Sequence, residues 1–139
     1  MKQYFVDTNI FLRFLLADNK KQHRLAKKLF QKVEKGKVGL WTTDIVVLEI
    51  IWTLDSFYRL PALEIQNSVS SLMALKNLKI KNKKLLLQAL DYFVNKKVDF
   101  ADAYNFLLAK LEGKKIVSFD RDFDKLGKRE KIDNNKVSL

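Results

Sequence analysis

Cysteine is absent from the 139 residues, which removes disulfides, thiolate nucleophiles and cysteine-based zinc sites together. The absence is also compatible with a reducing interior. Histidine is almost as scarce. His23 is the only one, it sits in the basic stretch Lys20-Lys21-Gln22-His23-Arg24, and it reads as a solvated helix residue. Serine-hydrolase triads therefore lose their base, and His-based zinc sites lose their ligands. A single proline and 4 glycines leave little material for linkers, so one compact, helix-rich domain over residues 1–139 is expected. No run of about 18 apolar residues is present to span a membrane. The amino end does not pattern as a secretory signal, because Asp7 and Arg13 break its apolar stretch. A cytoplasmic location without membrane association is the expectation.

Positive charge is plentiful: 27 Lys and Arg against 16 Asp and Glu give +11 and a pI near 9.8. An excess of that size favours a polyanionic partner such as nucleic acid. Because lysine carries most of it, a merely solubilising surface explains it equally, and charge alone leaves both readings open. The 47% apolar content is that of a globular chain.

Periodicity predicts a short buried strand at 3–6, then helices at 9–17 and 20–35. After Gly36 and Gly39 a strand is expected at 38–41, followed by a helix capped by Thr42 or Thr43 and running to about residue 58. Pro61 opens a helix to about residue 75, residues 78–81 read as a short strand, and 82–96 and 99–112 as helices, the second closed by Gly113. Residues 116–119 form an apolar strand with a short helix after Asp120, and 133–139 are expected to add an edge strand. Strands alternating with helices predict an α/β sandwich with a mostly parallel central sheet. The 60–75 segment, with Leu63, Val69, Leu72 and Met73, reads either as a partner surface or as core.

Four carboxylates stand out against this apolar background. Glu49 lies between Ile45-Val46-Val47-Leu48 and Ile50-Ile51-Trp52 on a helix apolar almost all round, where burial is expected and a lone charge needs a neutralising partner. Asp7 and Asp120 each follow a strand, and carboxyl ends of parallel strands form ligand crevices. Each can also be read as an ordinary helix or turn cap. Asp99 and Asp102 lie one helical turn apart; Asp99 reads as the N-cap, and Asp102 as the fourth corner of an acidic site. Carboxylates crowded together cannot all stay ionised without a cation, and an oxygen-only set suits Mg²⁺ or Mn²⁺.

Val6-Asp7-Thr8-Asn9, Glu49 in its apolar helix, Asp99-Phe100-Ala101-Asp102-Ala103 and Val117-Ser118-Phe119-Asp120-Arg121-Asp122-Phe123 occur in that order over nearly the whole chain. In these motifs it resembles the PIN-domain nucleases, most closely the VapC-type toxins of bacterial and archaeal toxin–antitoxin pairs. The resemblance implies a sheet of about five parallel strands flanked by helices. It also implies Mg²⁺- or Mn²⁺-dependent endoribonuclease activity on RNA, homodimerisation and inhibition by a small antitoxin. Asp7, Glu49 and Asp102 match the core metal-binding and catalytic acids and Asp120 the fourth. Thr8, Asn9 and Ser118 match polar positions that support such a site, and Asp99 leaves open which of Asp99 and Asp102 is the third acid. Asn105 and Phe106 depart from the small apolar residues often found after that acid.

Two other classes compete. A non-catalytic PIN-like module would bind nucleic acid without turnover, although all four acids are in place. A phosphotransfer domain also carries aspartates at strand ends, but a receiver would pair acids after its first strand, and an Asp-nucleophile phosphatase would have an acid where Asn9 stands.

Overall fold

The computed structural model describes residues 1–127, 129 and 130. The edge strand expected at 133–139 lies outside the described residues. The chain divides into two compact units, Met1–Lys83 and Lys84–Leu139.

The first unit is an α/β unit with a three-stranded parallel sheet in the order β1-β2-β3. Strand β1 spans Lys2–Phe5, β2 Val38–Thr42 and β3 Leu78–Ile80. Parallel neighbours need long crossovers. Helices α1 (Thr8–Leu15) and α2 (Lys20–Glu34) make the first, α3 (Asp44–Trp52) and α4 (Ala62–Met73) the second. Register runs from Lys2 opposite Val38 to Phe5 opposite Trp41, and from Leu40 opposite Leu78 to Thr42 opposite Ile80.

The helix boundaries follow from capping chemistry. Asn19 accepts from the Gln22 amide at 3.0 Å to start α2, and Gly36 at φ +72° ends it, a backbone shape disfavoured for residues with a Cβ. Thr43 starts α3 by accepting from the Val46 amide at 3.3 Å. Instead of continuing as an α-helix to residue 58, the chain widens into a π-helical turn, Thr53–Phe57, closed by a 3.1 Å bond from the Tyr58 amide to the Thr53 carbonyl. Single π turns of this kind recur at functional positions.

The core of this unit is built from Phe11 and Phe30, whose rings lie 5.7 Å apart, and from Val33, Leu40, Ile50, Ile51, Leu54 and Ile65. Each large side chain fully buried there contributes roughly 1.5–3 kcal/mol. Of the four apolar residues singled out in the 60–75 segment, packing claims Val69, Leu72 and Met73, and Leu63 is exposed. Two expectations are corrected here. β1 is exposed along its length, with burial beginning at Val6, so it is an uncovered strand despite its apolar residues. Helix α3 buries Val46, Val47, Ile50 and Ile51, whereas Ile45, Glu49 and Trp52 form an exposed stripe at i, i+4 and i+7. Uniform apolarity had suggested burial on every side, but only one face of the helix packs.

The second unit contains α5 (Lys83–Asn95), whose first residue closes the preceding unit, and α6 (Phe100–Leu111). Gly113, at φ +67°, ends α6. Strand β4 is Ile116–Val117, pairing in parallel with β5, Arg129–Glu130. The five strands among the described residues are thus divided three and two. β4 is shorter than the expected 116–119 because Phe119 turns outward, 84% exposed, into the bend before Asp120. Leu86, Ala89, Leu90 and Ala103 are fully buried. Among the described residues, no helix is long and apolar enough to cross a membrane.

Candidate metal centre

Asp7 owes its position to the end of the sheet. The Val6 amide donates to the Trp41 carbonyl at 2.9 Å, and the fully buried Thr42 hydroxyl donates to the Val6 carbonyl at 2.8 Å. With both backbone groups of Val6 held, the next residue leaves the sheet in a fixed direction. Asp7 caps α1, its carboxylate accepting from the Thr8 amide at 2.7 Å. The Thr8 side chain, buried to 7% exposure, donates its hydroxyl to Glu49 Oε2 at 2.6 Å. A short bond to an ionised acceptor fixes the Glu49 carboxylate to the start of α1. Asp7, Thr8, Asn9 and Glu49 line one cavity of about 420 Å³, together with Arg13, Trp52, Phe57 and Tyr58. Glu49 is solvent-exposed rather than buried.

In the second unit, Asp99 occupies the N-cap position of α6 without making a side-chain capping bond. Asp102 lies in the first turn, half-buried, and Asp120 caps the 3₁₀ turn Arg121–Lys125 by accepting from the Asp122 amide at 2.8 Å. Ser118 fixes the approach to that turn, its hydroxyl accepting from the Asp120 amide at 2.9 Å. Arg129 supports it from β5, donating to the Ser118 carbonyl at 3.1 Å, with its Nε 3.1 Å from Asp124. These restraints bring Asp102, Asp120 and Asp122 together, one carboxylate oxygen from each lying within 4.8 Å of the others.

The electrostatic consequence falls on Asp102. Burial pushes its carboxyl above the usual aspartate value, and the neighbouring charges of Asp99, Asp120 and Asp122 push it the same way. An aspartate held above its usual value, set among oxygen donors alone, fits a hard divalent cation. Lys125 approaches Asp122 at 3.4 Å, but both groups are about half exposed, and a surface pair of that kind offsets little.

Of the acids singled out from sequence, Asp102 and Asp120 are adjacent, and Asp7 and Glu49 share the wall of a single cavity. Asp99 lies outside the group of three yet acts on Asp102 through its charge. Asp122 was missed as a site residue. Its signal was the Asp120-Arg121-Asp122 spacing, which had been read as turn chemistry alone. His23 is half-buried on α2, its Nδ1 within 2.9 Å of the Arg13 carbonyl.

The model of the PIN-domain family matches residues 4–129. The chain belongs to the PIN-domain family. PIN domains are a family of nucleases, and this match runs through both groups of acids. No curated protein matches the chain. Among solved structures, the PIN chain is similar to VapC20 of Mycobacterium tuberculosis, described as a toxin that cleaves the sarcin–ricin loop. The two are 20% identical, the match covers 88% of this chain and 94% of that one, and the TM-score is 0.37.

Proposed function

We propose that this PIN protein is a divalent-metal-dependent endoribonuclease of the VapC type, the toxin of a type II toxin–antitoxin pair. It works in the cytoplasm as a homodimer and is restrained by a cognate antitoxin. The observation that carries the nuclease reading is the cluster of Asp102, Asp120 and Asp122 in a chain with a PIN match. One match extending from residue 4 to 129 supports treating residues 1–139 as a single PIN-like domain. Four of the motifs the VapC toxins carry, around Asp7, Glu49, Asp102 and Asp120, support the finer assignment.

Asp102 and Asp120, with Asp122, would hold Mg²⁺ or Mn²⁺, and Asp7 and Glu49 are the further acids the reaction requires. When bound, such an ion polarises a phosphoryl oxygen and lowers the pKa of water. The protein supplies the rest. Thr8 ties the Glu49 carboxylate to the start of α1, and Ser118 and Arg129 hold the Asp120 turn. Asp120 would accept a hydrogen bond from the attacking water, and Asp102, whose carboxyl burial and neighbouring charges hold above its usual value, would bind the ion as a carboxylate. Lysine and arginine side chains hold the RNA backbone, so binding weakens as salt rises.

The test is cleavage of single-stranded RNA in Mg²⁺, in Mn²⁺ and in chelator, comparing wild type with Asp7→Asn, Glu49→Gln, Asp102→Asn and Asp120→Asn. A metal-holding carboxylate stabilises charge in the transition state by several kcal/mol, so each variant should lose on the order of 10²-fold or more. Equal activity in all five proteins removes the proposed site. Tight RNA binding with no cleavage in either metal identifies instead a non-catalytic PIN-like module.

A further inference from the structure

The wall of the Asp7–Glu49 cavity is made of aromatic rings that the core does not use. Trp52 is 66% exposed and Phe57 72% exposed, and both line the same space of about 420 Å³ as the two carboxylates. That volume falls in the roughly 300–1,000 Å³ range of pockets that hold small ligands or parts of larger ones. Trp52 lies three residues beyond Glu49 on α3 and therefore on the same helical face. Phe57 ends the π turn, and its ring meets the edge of Tyr58 with centroids 5.0 Å apart and planes at 77°.

Tyr58 is itself anchored. Its hydroxyl donates to Asp18 at 2.9 Å, and the other oxygen of Asp18 accepts from Arg13 at 2.7 Å. Tyr58 and Arg13 together hold the Asp18 carboxyl below its usual range, the tyrosine hydrogen bond contributing most. This tie fixes a guanidinium and a tyrosine ring in the cavity wall before any ligand arrives. Preorganised rings beside fixed polar groups lose little entropy on binding.

We propose that Trp52 and Phe57 form a stacking platform for a base of a single-stranded RNA, beside the carboxylates of Asp7 and Glu49. The proposal rests on the ribonuclease reading for the identity of the strand, although the platform binds whether or not cleavage follows. Three features select this occupant. A base brings a π face for the rings and a polar edge for Asn9 and Thr53, which line the same space, whereas an apolar protein anchor would offer them no hydrogen bond. The chain carries +11, which draws a polyanion to the surface. Stacking on aromatic side chains is sequence-tolerant, as suits the selection of unpaired RNA by shape.

The experiment uses the full chain in chelator, so that no cleavage intervenes. Its probes are an unstructured RNA of about eight nucleotides and an abasic ribose-phosphate strand of equal length. In a Trp41→Phe background Trp52 is the only tryptophan of the two in the chain, and its fluorescence reports contact. The base-bearing RNA should quench it and the abasic strand should not. Trp52→Ala and Phe57→Ala should each weaken binding of the base-bearing RNA by roughly five- to 150-fold, the loss of one stacked base, while Trp52→Phe keeps most of it. If Trp52→Ala fails to fold, the quenching contrast between the two strands decides. Equal affinity of wild type for both strands, with no quenching by either, overturns the platform. So does a change of sedimentation in Trp52→Ala with RNA affinity unchanged, which would make this face a contact between copies of the chain. RNA quenching without cleavage in any metal would sink the nuclease reading and leave the platform standing. Cleavage without quenching would do the reverse.

Discussion

Replacing Thr8 by valine keeps the shape of a buried side chain and removes one hydrogen bond, so it isolates the link between α1 and Glu49. The bond is short, 2.6 Å, and its acceptor is ionised, a class that contributes about 1.5–3 kcal/mol. Two facts lower that figure. Glu49 is exposed, so its freed oxygen regains water, and valine fills the space of the hydroxyl without leaving a cavity. A loss of about 1 kcal/mol is therefore expected, which for a chain of this length lowers Tm by roughly 3–4 °C. Urea denaturation of wild type, Thr8→Val, Glu49→Gln and the double variant gives the coupling directly. The two substitutions should be non-additive by about 1 kcal/mol, because either one already removes the charged bond. If the proposal for the site is right, cleavage by Thr8→Val should also fall while RNA affinity barely changes. Additivity within about 0.3 kcal/mol would show that Thr8 and Glu49 do not interact, and the account of how Glu49 is held would be wrong.

Asp102 has a folded-state pKa raised above its unfolded value, so its contribution to stability is complete below about pH 3.8 and is lost as pH rises through the folded value. Metal-free Asp102→Asn should accordingly gain stability on wild type as pH is raised across that window, measured by thermal melts at fixed ionic strength; parallel profiles would refute the crowding of charge. Adding Mn²⁺ at neutral pH should raise the Tm of wild type and leave that of Asp102→Asn nearly unchanged, and equal shifts in both would place the ion elsewhere. Ile65→Ala, at a fully buried position of the first unit, should cost about 2–5 kcal/mol in urea denaturation, and a loss under 1 kcal/mol would mean that Ile65 is not core. RNA binding should weaken linearly on a log–log plot against salt, and a flat response would remove the phosphate contacts.

How far the sequence reveals this molecule differs from element to element. Capping chemistry was plain: Thr43 ahead of α3, Pro61 ahead of α4 and Gly113 after α6 all mark real boundaries, because each residue type answers a local backbone need. The parallel direction of β2 and its neighbours also followed from alternation of strands and helices. The π turn at Thr53–Phe57 was not legible, since its residues continue an apolar helical pattern and one extra residue per turn leaves no compositional mark. Exposure was hardest to read. Ile45 and Trp52 are as apolar as Val46 and Ile50, and only packing decides which of them face solvent. At the site, the acids were visible as charges out of place, whereas Asp122 was hidden by its turn motif and Thr8's bond to Glu49 spans 41 residues of sequence.

The loosened coil between Thr53 and Phe57 carries one residue more than a regular winding would hold. Deleting a single residue there would let the coil tighten to an ordinary turn while the chain downstream keeps nearly its direction, because a turn closed by an i→i+5 bond already absorbs the extra residue. A length change of one residue is thus taken up within the turn beside Glu49, while Trp52 on the helix before it keeps its place.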